Sequence, residues 1–190
     1  MLLARHGETD WNRDYRFQGH ADPPLNERGR AQARALADEL ADERIDAVYA
    51  SPLRRALETA EILAAPLGLP IDQIEALREV DVGSWSGLTR TEVEQEFPEG
   101  YRRWLDYGPG WDDGETYEAM GERVIAALRA IADRHNGEVV LAVTHGGPIR
   151  AAHAYAASVP HAEARRVGAV VDNCTLCRFA VENGAFRQLD

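Results

Sequence analysis

Lysine is absent from this chain of 190 residues; all 21 basic residues are arginine. Schiff-base catalysis, pyridoxal-phosphate catalysis and P-loop nucleotide binding each need a lysine, so all three are excluded. Cysteine is scarce, with two residues. That is too few for a disulfide scaffold and favours a cytoplasmic location. No apolar run approaches the roughly 20 residues of a membrane span, and the opening Met1-Leu2-Leu3-Ala4-Arg5 is too short for a signal peptide. Acidic residues outnumber basic ones 32 to 21, for a formal charge of -11. Such a surface repels nucleic acid and anionic lipid unless basic residues gather locally. What is present suits a folded protein: 45% hydrophobic and 28% charged residues. The length fits one domain, alone or with a modest insertion. An all-arginine cation set also suits bidentate recognition of phosphate or carboxylate.

Helix and strand signals alternate along the chain. Leu2 to Ala4 reads as a short strand ending at Arg5-His6-Gly7, and a polar loop follows to Leu25. Asn26 caps a helix in which Ala33, Leu36, Ala37 and Leu40 recur at helical spacing. Asp46 to Ala50 reads as a strand. Ser51 as cap and Pro52 as first residue then open a second helix, with Leu53, Ala56, Ala60 and Leu63 on its apolar stripe. The stretch from Leu77 to Glu115 holds three of the four tryptophans. It is expected to form an irregular insertion, at about 80–115, with short helices and a small aromatic core. Tyr117 to Arg134 is a long helix stopped by His135-Asn136-Gly137. Val139 to Val143 is a continuous apolar strand, expected to be central, and Pro148 starts the helix after it. Val171 to Val181 and Phe186 to Leu189 read as a hairpin across Asn183-Gly184. The pattern predicts an α/β fold over residues 1–190, a single three-layer domain. Its sheet is mixed and mostly parallel, with helices on both faces.

Polar residues collect where strands end. His6 follows the first strand, Ser51 and Arg55 the second, and His145 the buried one. In open α/β sheets the ligand crevice lies outside the carboxyl ends of the strands, so these groups share one rim. Asn173-Cys174-Thr175 fits a glycosylation sequon, and Cys174 and Cys177 are spaced C-x-x-C. In a strand, residues three apart point to opposite faces, so that pair is not expected to bond.

Several blocks match a known family. Leu3-Ala4-Arg5-His6-Gly7-Glu8-Thr9 resembles the signature of the histidine phosphatase superfamily, the phosphoglycerate mutase-like family. Trp11-Asn12 and Phe17-Gln18-Gly19 resemble the loop after it, and Pro24 to Gly29 the next block. Ser51-Pro52-Leu53-Arg54-Arg55-Ala56 with Thr59-Ala60, then Leu77-Arg78-Glu79 with Gly83 and Trp85 to Gly87, resemble two more. Val143-Thr144-His145-Gly146-Gly147 resembles the last. The blocks keep the family order over most of the chain. One departure is the first strand, with fewer residues before Arg5 than the family commonly shows.

The resemblance implies a phosphoglycerate mutase-like fold and a phosphomonoester hydrolase that works on a small phosphorylated metabolite through a phosphohistidine. It implies His6 as nucleophile, and Arg5, Arg55 and His145 around the phosphate. Asn12, Gln18, Gly19 and Gly146 would be substrate-binding, and Glu79 would give a proton to the leaving group. It implies no metal and no cofactor; a zinc site from His6, His20, Asp22 and His145 would match no standard ligand spacing. The mutase branch of the family is the nearest alternative. Its members place a lysine and a tyrosine after the acid residue, and Val80 to Gly87 holds neither. A phosphate-binding regulatory protein on the same fold is a third reading, against which the intact pair of His6 and Glu79 argues.

The residue types suit this chemistry. A phosphate monoester resists attack because it is dianionic, and arginines neutralise it without a metal. At about 4 Å and an effective dielectric near 20, each such pair is of the order of 4 kcal/mol before desolvation. The same cations should keep His6 uncharged and nucleophilic. A bound phosphate dianion would favour the protonated form of Glu79, so turnover is expected to fall above neutral pH. Glu79 could instead pair with Arg78 or Arg55. Arg54, Arg102 and Arg103 are read as solvated charges, and His20, His135, His153 and His161 as structural or exposed.

Overall fold

Alternating apolar side chains divide the sheet between two helical layers. The structure is a computed structural model that describes residues 1–167 and 171–189. The strands are β1 (Leu2–Arg5), β2 (Ala47–Ala50), β3 (Ile71–Gln73), β4 (Val140–Thr144), β5 (Leu176–Glu182) and β6 (Ala185–Leu189), in the order β3-β2-β4-β1-β5-β6. The first four of that order run parallel, and β5 and β6 are antiparallel additions. Leu2, Ala4, Val48, Ala50, Leu141 and Val143 pack with Leu36 and Leu63. Those two come from α2 (Glu27–Glu39) and α3 (Arg54–Ala64). The intervening Leu3, Tyr49, Val140 and Ala142 pack with Val124, Leu128 and Ile149, from α6 (Tyr117–Arg134) and α7 (Gly146–Ala156). A period of two across each strand produces this division. Full burial of a side chain of leucine or valine size stabilises by roughly 1.5–3 kcal/mol. The predicted α/β arrangement, a mostly parallel mixed sheet with helices on both faces, is the observed one.

Local chemistry sets the helix ends. Asn26 Oδ1 accepts from Gly29 N at 2.8 Å, and Thr116 Oγ1 accepts from Ala119 N at 3.1 Å, each satisfying an otherwise free first-turn amide. The short α1 (Asp10–Arg13) carries a capping box between Thr9 and Asn12. Between 77 and 115 lie α4 (Arg90–Glu96) and α5 (Pro98–Leu105). They enclose Trp85, which is fully buried with its ring edge-on to Phe17, Trp104 and Trp111.

Four sequence readings change. α3 starts at Arg54 with Leu53 at its cap, so Ser51 and Pro52 precede the helix. α7 starts at Gly146 rather than Pro148; proline is tolerated there because a first-turn N–H has no helical partner to lose. β5 starts at Leu176, because the backbone of Cys174 turns through a φ of 57°. Cys174 therefore sits in a turn, and both cysteines are free. β3 was not foreseen: two of its three residues are exposed, so no apolar pattern marks it, and pairing with β2 makes it a strand.

The parallel register brings the strand ends level. Arg5 pairs with Thr144, and Ala50 with Val143. The chain leaves β1 towards α2 on one face and leaves β4 towards α7 on the other. A crevice opens between adjacent strands whose connections part in this way.

Candidate active site

His6, Ser51 and His145 are the next residues after those strand ends. His6 N donates to Thr144 O at 3.0 Å, and the ring Nδ1 lies 2.7 Å from Gly7 O. A carbonyl only accepts, so Nδ1 carries the hydrogen and Nε2 of the neutral ring holds the lone pair. The following loop is fixed by α3. Gly7 N donates to Thr59 Oγ1 at 3.0 Å, and Thr59 Oγ1 donates to Arg55 O at 2.7 Å. His145 is fully buried with its ring centre 5.1 Å from that of His6, and its Nε2 lies 2.8 Å from Ser51 Oγ. Burial, then the cations Arg55 and Arg5, hold His6 well below the ordinary imidazole range. Burial first, then Arg55, His6 and Arg5, do the same to His145. Both rings are neutral near pH 7.

Carbonyl anchors aim the two guanidinium groups. Arg55 Nη1 and Nη2 donate to Ala21 O and Gly19 O at 2.7 and 2.9 Å, and Arg5 Nη1 donates to Val171 O at 2.6 Å. Gly19 sits at a φ of 50°, where an added Cβ would run into Val82, so glycine is needed to present that carbonyl. Burial lowers the pKa of Arg55 to about 10 and lowers that of Arg5; both remain cations at neutral pH. Nε of each, with Nδ1 of His145, is buried without a hydrogen-bond partner among the described residues. Buried polar groups normally have one, and an anion's oxygens would satisfy the arginine donors. Asn12 Oδ1 accepts from Thr9 N at 3.2 Å and from Asn173 Nδ2 at 3.3 Å, while Gln18 Oε1 lies 3.2 Å from Thr9 Oγ1. With both acceptors engaged, the two side-chain NH2 groups are left as donors.

Glu79 is held from its backbone and its carboxylate together. Gly147 N, in the first turn of α7, donates to Oε1 and Oε2 at 3.1 and 3.2 Å, and Val80 N donates to Oε1 at 3.0 Å. A Cβ on residue 147 would collide with that carboxylate. His20 Nε2 donates to Glu79 O at 2.9 Å. Arg123 on α6 donates to Ala76 O, Arg78 O and Glu79 O at 2.8, 2.8 and 2.9 Å, and grips Glu115 bidentately at 2.6 and 2.7 Å. Arg78 pairs with Glu75 rather than Glu79.

Arg5, His6, Asn12, Gln18, Gly19, Arg55 and Glu79 line one cavity of about 260 Å³. His145 and Gly146 do not line it: His145 backs the His6 ring, and Gly146 lies beneath the Arg150 guanidinium. Arg102 and Arg103 are also outside it, and Arg103 is engaged by Asp112 and Gly110 O. Sequence reasoning took Ser51 for a helix cap and missed its bond to His145. It gave no signal for Arg123, Asn173, Arg150 or Arg165, which arrive from distant elements. Among the described residues, no group of three or more His, Cys, Asp or Glu side chains could hold a metal ion. No helix among them is long and apolar enough to cross a membrane.

The family model described as the histidine phosphatase superfamily, branch 1, matches residues 1–190. The chain belongs to that superfamily. It is 38% identical over 153 residues to phosphoserine phosphatase 1 of Hydrogenobacter thermophilus, covering 80% of this chain and 72% of that one. It is 41% identical over 155 residues to phosphoglycerate mutase-like protein 4 of Arabidopsis thaliana, covering 79% and 67%. Among solved structures, YhfR of Bacillus stearothermophilus superposes with a TM-score of 0.89 at 35% identity, covering 98% of this chain and 93% of that one.

Proposed function

We propose that the protein hydrolyses small phosphomonoesters through a phosphohistidine at His6, without a metal. One observation carries the reading. The Nδ1–H of His6 is committed to Gly7 O, which leaves the Nε2 lone pair as the nucleophile in a cavity shared with Arg5, Arg55 and Glu79. In the first step Nε2 forms a bond to phosphorus, the ester P–O bond breaks, and the departing oxygen takes the proton of Glu79. The ring becomes cationic, and its bond to Gly7 O strengthens as it does so. In the second step water attacks phosphorus and gives a proton to the Glu79 carboxylate. The P–N bond breaks, and His6 regains its lone pair. Arg5 and Arg55 face the charge on the equatorial oxygens throughout, in a site already organised for it. The phosphatase name of the Hydrogenobacter relative supports hydrolysis.

The mutase-like name of the Arabidopsis relative marks the competing outcome, in which the phosphoryl group returns to another substrate hydroxyl. Incubation with 3-phosphoglycerate and a bisphosphoglycerate primer separates the two. Inorganic phosphate released by the wild type, and not by His6→Ala, is the expected result. Formation of 2-phosphoglycerate without phosphate release would overturn hydrolysis. The cytoplasm is the proposed location, and small phosphate esters rather than nucleic acid are the proposed partners.

A further inference from the structure

The cavity holds more positive charge than a phosphoryl group requires. Six arginines and a single carboxylate, Glu79, line it, in a protein of formal charge -11. Arg5 and Arg55 serve the phosphate, and Arg16 is paired with Glu92 at 3.2 Å. Arg90, Arg150 and Arg165 have no carboxylate partner among the described residues. They come from α4, α7 and α8 (Ala164–Val167).

Neutral contacts hold two of the three in place. The Arg165 guanidinium lies 4.5 Å from the centre of the Trp104 ring and donates to Trp104 O at 2.9 Å. Arg90 lies 5.5 Å from the same ring. A ring face and a carbonyl orient a cation without cancelling its charge. Arg150 acts electrostatically on Arg5 towards the phosphate end and on Arg165 towards the aromatic wall. Like charges left together in a half-buried cleft repel one another, and a bound anion relieves that repulsion.

We propose that Arg150 and Arg165, with Arg90 at the rim, form a subsite for a second anionic group on the substrate. The preferred substrates are then small phosphomonoesters that also bear a carboxylate or a further phosphate. This rests on the phosphatase reading above and narrows its substrate class. Arg150 is the residue to test, because its side chain makes no hydrogen bond within the described protein, whereas that of Arg165 also ties Trp104 to Tyr117.

The test compares 3-phosphoglycerate with glycerol 3-phosphate, in which the carboxylate is replaced by a hydroxymethyl group. Glycerol 1,3-bisphosphate supplies the second phosphate instead. For at least one of the two doubly anionic esters, kcat/KM should exceed that for glycerol 3-phosphate by about tenfold or more, as expected for a charge-assisted contact. Whichever is preferred identifies the group. Arg150→Gln should bring the ratio towards one, and Arg150→Lys should restore part of it. The same ratio is read as Kd on His6→Ala protein. A wild-type ratio near one for both esters, or a ratio that Arg150→Gln leaves unchanged, would overturn the subsite even with every ester hydrolysed. If the wild type releases no phosphate from any ester while the Kd preference persists, the phosphatase reading falls and the subsite stands.

Discussion

Replacing Arg123 by methionine tests how the acid is held. The guanidinium makes five bonds: one each to the carbonyls of Ala76, Arg78 and Glu79, and two to the Glu115 carboxylate. Breaking a fully buried pair costs roughly 3–5 kcal/mol. The Arg123 and Glu115 side chains are 24% and 19% exposed, so water rehydrates part of what is freed and the loss should be about 2–3 kcal/mol. For a chain of this size that lowers Tm by roughly 5–10 °C. The functional effect is separate. The freed segment from Ala76 to Glu79 shifts the carboxyl group, and a misplacement of about 1 Å can cost on the order of 100-fold in rate. The loss should appear with an alkyl phosphate and be much smaller with nitrophenyl phosphate, whose leaving oxygen needs little protonation. Thermal unfolding and kcat on both esters, at a temperature where the variant is folded, supply the comparison. A variant within about 0.5 kcal/mol of the wild type, with equal losses on the two esters, would refute the reasoning.

Glu79→Gln should lose about 100-fold or more towards alkyl phosphates and clearly less towards nitrophenyl phosphate; equal losses would remove Glu79 as the proton donor. Acid should destabilise the fold through His6 and His145. The unfolded chain protonates both near pH 6.5 while the native state resists, so stability falls as pH drops below that value, by about 1.4 kcal/mol per unit for each histidine. Urea unfolding at pH 7 and pH 5.5 should therefore differ by about 2.5 kcal/mol from this pair, and His6→Asn should remove roughly half of the difference. Unchanged stability over that range would contradict two neutral buried rings. Ser51→Ala leaves His145 Nε2 buried without its partner and should cost about 1–3 kcal/mol; a neutral result would make that bond incidental.

The layers were legible because burial writes a period into the chain. Val140 to Val143 is apolar throughout since both of its faces are covered, and Asn26 announces a helix through its cap. Residues that follow strand ends could be placed on one rim from the parallel order alone. What escaped depends on contacts made across the fold. β3 carries no pattern, having one half-buried residue. Ser51 suits a cap and a histidine partner equally well by residue type. The arginines differ least of all in sequence: Arg102 and Arg103 sit in the aromatic stretch yet do not line the cavity, while Arg150 and Arg165 reach it from later helices and Arg123 braces the Glu79 segment from α6. His145 looked like a cavity wall, and its fully buried ring packs against His6 instead.

Rapid acid-free quenching of the enzyme during turnover of a phosphorus-labelled ester, followed by peptide mapping, tests the central claim most directly. The account predicts an acid-labile, alkali-stable label on His6, no more than one per chain and absent from His6→Ala. Steady release of phosphate with no label on any histidine, or with the label on another residue, would contradict it.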